Sequence, residues 1–166
     1  MALTQINTGK VKDRRPLRFS ALDEMLADVE RIAAAERAGK LRRTGNWTAG
    51  QTFGHLATWI NFAYDGYPPD MKPPWFIKVI LKFQKNKFVR GPMPSGVKIP
   101  GVEGGTKGTE PIGLDEGLTR LRSAINRLSA AAPTHPNPIF GPMSHDEWKG
   151  MHMRHGELHL SFLQPG

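Results

Sequence analysis

Leu114, Leu118, Leu121, Ile125 and Leu128 follow one another at intervals of 4, 3, 4 and 3, the spacing that lines one side of an α-helix with apolar side chains. Arg120, Arg122 and Arg127 fall off that line. In a strand this pattern would turn part of the apolar set to water, so the segment is expected to be a helix packed along one seam. The same period recurs in Leu22, Met25, Leu26, Val29, Ile32 and Ala33. Ser20, three residues before Asp23, reads as their cap and Gly39 as their stop, which predicts a helix over 21–38. Thr48 with Gln51 forms a capping box ahead of the apolar run Phe53 to Tyr64, and Ser144 with Glu147 opens a last helix reaching Leu163. Trp75 to Phe88 reads as a shorter helix between the proline pairs at 68–69 and 73–74 and the breakers beyond. Period-2 alternation is almost absent, so the fold class is all-α.

Between Arg90 and Gly113, 11 of 24 positions are glycine or proline, too many for a regular element. Loops of this length are uncommon in compact domains unless they serve a site, so this one is expected to border one. No stretch of 20 to 50 residues repeats, which excludes a solenoid. The 166 residues suit one domain spanning 1–166, with a basic N-terminal extension over 1–18. Hydrophobic residues make up 39% and charged residues 23%, ordinary globular usage rather than that of a disordered chain.

The chain has no cysteine. Disulfides, thiolate metal sites and a protein-borne thiol nucleophile are therefore excluded, and any metal must sit on His, Asp or Glu. Neither an apolar signal segment nor a run of about 20 apolar residues occurs, and a cytoplasmic protein with no transmembrane segment is the expectation. The formal net charge of +8 raises anionic partners. The basic residues are spread over several segments without interleaved aromatics, so a solvated surface is favoured over a specific nucleic-acid site.

Three of the six histidines, His152, His155 and His159, lie close together near the end of the chain. Residues four apart share a helix face, so His155 and His159 can aim at one point. Trp148, Met151, His155, Leu158 and Phe162 trace the stripe expected to face the core. On helix two, His55 shares an apolar face with Thr52, Leu56, Trp59 and Phe62, which brings a third imidazole inward. Three neutral imidazoles suit Zn(II), Ni(II) or a similar ion and leave a coordination position open. Spacing alone does not decide this, because H-x3-H pairs are often only core histidines and because His152 with His155 is an equally usable pair. His152 and His159 stand about 10 Å apart along the axis, too far to share one ion. His135 and His145 read as surface or capping residues.

The segment Asn46-Trp-Thr-Ala-Gly-Gln-Thr-Phe-Gly-His55-Leu-Ala, Glu147-Trp148, and Arg154-His155-Gly-Glu-Leu-His159-Leu-Ser-Phe-Leu163 resemble the DinB/YfiT-like superfamily. More closely, they are similar to a subgroup of it described as a domain of unknown function. The likeness runs from Arg14 to Leu163 and includes His135 to Gly141. It implies a four-helix bundle with an extra short helix, and a divalent metal held by one histidine of the second helix and two of the last, which map onto His55, His155 and His159. The segment from Trp75 to Gly113 departs from the minimal bundle.

Some members of that superfamily transfer low-molecular-weight thiols to electrophiles. Others isomerise small metabolites in a thiol-dependent way. The resemblance therefore implies a metal-dependent enzyme acting on a small molecule, a thiol S-transferase with the thiol as cosubstrate or, since the absence of cysteine fits it equally, a hydrolase, and a homodimer to which Trp75 to Phe83 could contribute. A metal on three neutral ligands keeps its charge and lowers the pKa of a bound thiol or water. No catalytic side chain is identified. Glu157, two positions from both His155 and His159, is expected on the opposite side of the helix, toward a flank or solvent. The alternative is a non-catalytic bundle, metal-binding or metal-free, acting as an interaction protein.

Overall fold

A computed structural model of the chain describes residues 5–71, 75–99 and 102–166. It is mostly helical: α1 (Leu22–Arg37), α2 (Ala49–Asp65), α3 (Trp75–Lys82), α4 (Lys85–Arg90), α5 (Leu114–Ala130) and α6 (His145–Leu160). Met1 to Thr4, Lys72 to Pro74, Pro100 and Gly101 lie outside the described residues, and with them the proline pair expected to precede the third helix.

The long helices start where their caps predict. The Thr48 hydroxyl accepts from the Gln51 N–H at 3.1 Å, and the Gln51 side chain accepts from the Thr48 N–H at 3.0 Å. Ser144 and Glu147 form the same reciprocal pair at 3.2 and 2.8 Å. Each box satisfies two of the amide donors a helix start leaves unpaired. Gly39, at φ 67°, ends α1 in the left-handed conformation that a side chain resists. Ser20 does not cap α1. The N-cap is Ala21, without a side-chain bond, and the Ser20 N–H donates to the Glu24 carboxylate at 2.7 Å.

The Leu114–Leu128 seam faces inward: Leu118, Leu121, Ile125 and Leu128 are all buried. They meet Phe53, Leu56 and Ile60 of α2, Met25, Val29 and Ile32 of α1, and Trp148 and Leu160 of α6 in one cluster. Of these pairs α2 and α5 pack most closely, and small residues permit it. A Cβ on Gly117 would stand 2.5 Å from the Gly50 carbonyl oxygen, and one on Gly50 2.5 Å from that of Ile112.

Three expectations give way. The segment Trp75 to Phe88 is two helices, because α4 turns at Gln84 to lay Val89 against Gly150 and Phe88 against Phe140 at 5.5 Å. The last helix stops at Leu160, three residues early. Beyond it Leu163–Pro165 (β2) pairs antiparallel with Leu41–Arg43 (β1), Arg43 opposite Leu163. A three-residue strand is too short to display alternation, so the sequence held no sign of this ladder. Among its described residues, the 90–113 stretch contains one short 3-10 turn, Glu103–Gly105.

The N-terminal segment is fastened rather than loose. Arg15 donates to both oxygens of Asp28 on α1, at 2.8 and 2.7 Å, and to the carbonyls of Leu160 and Leu163. It thereby ties α1 to the end of α6.

Candidate metal centre

His55 stands two turns into α2, at a depth set by the Thr48 box, and is 1% exposed. His155 and His159 lie one turn apart on α6 and are half-buried. The three bring one nitrogen each within 4.8 Å of one another. The Nε2 atoms of His55 and His155 are 3.2 Å apart. The ring pairs cross edge to face at 4.5, 4.7 and 5.0 Å between centroids.

One tautomer is set by the backbone. His55 Nδ1 lies 2.8 Å from the Lys107 carbonyl oxygen, which can only accept, so Nδ1 carries the proton and Nε2 presents its lone pair to the cluster. This carbonyl-to-imidazole support is what metal-ligating histidines use to hold ring orientation. The long loop therefore does border the site. It approaches α2 along a row of small residues: a Cβ on Gly54 would meet Ile112 Cδ1 at 2.5 Å, and one on Gly108 would meet Thr58 at 2.8 Å.

Two tryptophans wall the cluster. Trp47, just ahead of the α2 cap, stacks on His159 at 5.1 Å and 20° and tilts over His55 at 4.8 Å. Trp59, one turn beyond His55, stands 6.0 Å from His55 and 5.6 Å from His155. Its Nε1 is buried and makes no hydrogen bond among the described residues. Sequence reading placed Trp59 on the apolar face but gave it no role at the site. Nothing in spacing marks an indole N–H as orphaned.

Burial keeps the imidazoles neutral. It pushes His55 down to about 4, although the Lys107 carbonyl and the Glu110 charge act in the opposite direction. Burial also carries His155 and His159 well below the ordinary histidine value, with neighbouring histidines adding to the effect. Neutral lone pairs are the form a divalent ion needs.

The buried stripe of α6 is rotated from the one expected. Trp148, His152, Gly156 and Leu160 are buried at steps of four, with Met151, His155 and Leu158 half-buried beside them. Gly156 sits against Met25, where a Cβ would be 2.7 Å from Cε, so α1 draws this stripe inward. His152 is 3% exposed and stacks on Trp148 at 5.8 Å and 12°, in the core and outside the three-histidine group. His135 is exposed. His145 Nε2 lies 2.6 Å from the Leu128 carbonyl oxygen, at the start of α6. Glu157 does not face solvent. It is 8% exposed, accepts from the Phe19 N–H at 2.5 Å and pairs with Arg154 at 2.6 Å, which itself donates to the Phe19 carbonyl. The N-terminal segment crosses that side of α6 and covers it.

The donor set fits a metal. Two ligands at about 2.0–2.1 Å on a tetrahedral ion stand about 3.3 Å apart, close to the 3.2 Å between His55 and His155. The widest separation, 4.8 Å, has to close by roughly 1.5 Å for all three to share one ion. These features define a mostly helical protein whose three-histidine group could hold a metal ion. Comparison with known families matches residues 11–166 to the one described as a protein of unknown function, DUF1569, and the chain belongs to that family. No curated protein and no solved structure matches it.

Proposed function

We propose that this chain is a single-domain, DinB/YfiT-like four-helix bundle of α1, α2, α5 and α6 that holds Zn(II) or Ni(II) through His55, His155 and His159. On that reading it is a metal-dependent enzyme acting on a small molecule, with a low-molecular-weight thiol as cosubstrate. The observation that carries it is the His55–His155 pair, Nε2 to Nε2 at 3.2 Å, with His55 Nδ1 committed to the Lys107 carbonyl. The His55 Nε2 lone pair then points toward His155 Nε2, into a space that His159 borders.

The bound ion would supply a positive charge that lowers the pKa of a coordinated thiol or water. The chain's own residues do the rest. The Lys107 carbonyl holds His55 in its ligand tautomer. Trp47 and Trp59 exclude water from the inner side of the cluster. The unpaired Trp59 N–H is a donor for an oxygen or sulfur atom entering the site. His155 and His159 are less deeply buried than His55, and that is the side from which a ligand would enter.

A second reading, a metal-free core cluster, draws on the same 3.2 Å separation, which is also that of an N–H···N hydrogen bond. Elemental analysis separates the two. After reconstitution with Zn(II) and Ni(II) and removal of loose ions, the parent protein should carry near-stoichiometric metal. His55→Ala and His155→Ala should carry almost none, while His152→Ala keeps it. Metal absent from the parent, or retained in both ligand variants, sinks the assignment.

A further inference from the structure

Between Met71 and Val102 the chain holds seven lysines and arginines and no aspartate or glutamate, while the remaining residues hold 16 basic and 15 acidic side chains. Nearly all of the net charge of +8 therefore belongs to one segment, the one that carries α3 and α4. On α3 this charge sits beside the largest exposed apolar surface among the described residues. Trp75 is 76% exposed, Phe83 86%, and Phe76, Val79 and Ile80 just over half.

These five residues form one face. At about 100° per residue, Trp75, Val79 and Phe83 step by four along one line and Phe76 and Ile80 along the next, an arc of about 140°. Lys82 falls on its edge, and Lys78, half-buried, lies about 40° further round. Neither they nor Lys87 make an ion pair among the described residues. A helix with bulky apolar side chains on one face and lysines along the margin is the pattern of one lying in the plane of a lipid interface. There the lysine stems follow the apolar surface and the ammonium groups reach the headgroups. Eight residues make a helix of about 12 Å, far short of a bilayer's hydrocarbon thickness. It can lie on a membrane but not cross it.

We propose that α3 and the turn at Phe83 dock the protein on the surface of an anionic lipid bilayer, with Trp75, Phe76, Val79, Ile80 and Phe83 entering the interface and the exposed Lys82 and Lys87 meeting the headgroups. A second copy of this chain fits the face less well. A two-fold contact sets a patch against itself, so the same lysines would confront one another with no acidic residue between 71 and 102 to offset them. Nucleic acid would account for the lysines, through its phosphates, but not for five exposed apolar side chains on one face.

The test is co-sedimentation of the full-length protein with vesicles of phosphatidylcholine, and of phosphatidylcholine mixed with phosphatidylserine, at low and high salt. The parent should partition strongly onto the anionic vesicles only, and high salt should release it. Phe83→Ser should weaken that partition at least about tenfold, and Lys82→Gln about fivefold. Both positions are exposed, so melting temperature and circular dichroism should stay at the parent's values. No anionic-vesicle binding by the parent overturns the proposal. So does dimerisation that Phe83→Ser abolishes without any vesicle binding, which assigns the face to a second copy. Oligonucleotide binding that Phe83→Ser leaves intact and that exceeds vesicle binding overturns it too.

Discussion

α2 and α3 are both rich in large apolar and aromatic side chains, and they meet opposite fates. In α2, Phe53, Leu56 and Ile60 are buried to 1% or less and carry His55 in with them. In α3, Trp75, Phe76, Val79 and Ile80 face outward. The difference lies in the neighbours. Gly50 and Gly54 let the end of the long loop and α5 close on α2, whereas the chain turns at Gln84 so that α4, not α3, meets α6. Apolar content alone says how much a helix can bury. Small residues and turns on the partner decide whether it does.

If that contrast is right, stability should depend steeply on the close-packed side of the molecule and hardly at all on α3. The largest effect is expected at Asp28, which is 6% exposed and accepts from Arg15 and Arg31. Burial pushes its carboxyl up, but the hydrogen bonds from the two guanidinium groups outweigh burial and hold it below the ordinary 3.8. Asp28→Ala leaves Arg15 without its partner and should cost about 3 kcal/mol, the low end for a broken buried pair because Arg31 is largely exposed. A carboxyl with a lowered folded-state pKa stabilises above its unfolded value and loses that contribution as pH falls through the folded value. The gap between parent and variant in urea unfolding should therefore hold from pH 7 to 5 and shrink below 3.8. A gap unchanged at pH 3 would mean that packing, not charge, is its source.

Gly117→Ala comes next. Its methyl group would stand 2.5 Å from the Gly50 carbonyl oxygen and 3.0 Å from Gly50 Cα, backbone atoms that cannot rotate away. Overpacking of this kind costs about 1–3 kcal/mol, even though alanine has the higher helix propensity. Calorimetry should show a lower melting temperature. A rise would mean that α2 and α5 are not held this closely, and the contrast with α3 would lose its main cause.

This also explains what could be read in advance. The seam on α5 and the capping boxes at Thr48 and Ser144 are local patterns, and the helices they announced are present. Spacing showed that His155 and His159 share a helix face and that His55 lies on an apolar one, but it left His152 with His155 equally usable, and only the family resemblance singled out the three that the structure groups together. What sequence could not supply depends on contacts between distant segments. The Lys107 carbonyl on His55, the orphaned Trp59 N–H and the burial of Glu157 under the Phe19 segment each join residues about 50 to 140 positions apart or require a missing partner. The split of Trp75 to Phe88 belongs to the same class, since only α6 tells the chain to turn at Gln84.

The smallest effect is expected on the exposed face itself. Phe76 is 51% exposed and packs edge-on against Trp75 alone, at 6.1 Å, among the aromatic pairs of the described residues. Replacing it by serine removes little buried surface, creates no cavity and leaves the α3 backbone bonds in place. Serine is a slightly weaker helix former than most residues, and phenylalanine is no better, so propensity does not tip the balance. Phe76→Ser should change unfolding free energy in solution by less than about 0.5 kcal/mol, as for a surface site away from caps and ion pairs. Urea unfolding of parent and variant side by side measures this directly. A loss near that of Gly117→Ala would show that the face is covered within the folded chain. α2 and α3 would then be two parts of one core, and the exposed aromatic face would have no docking role to explain.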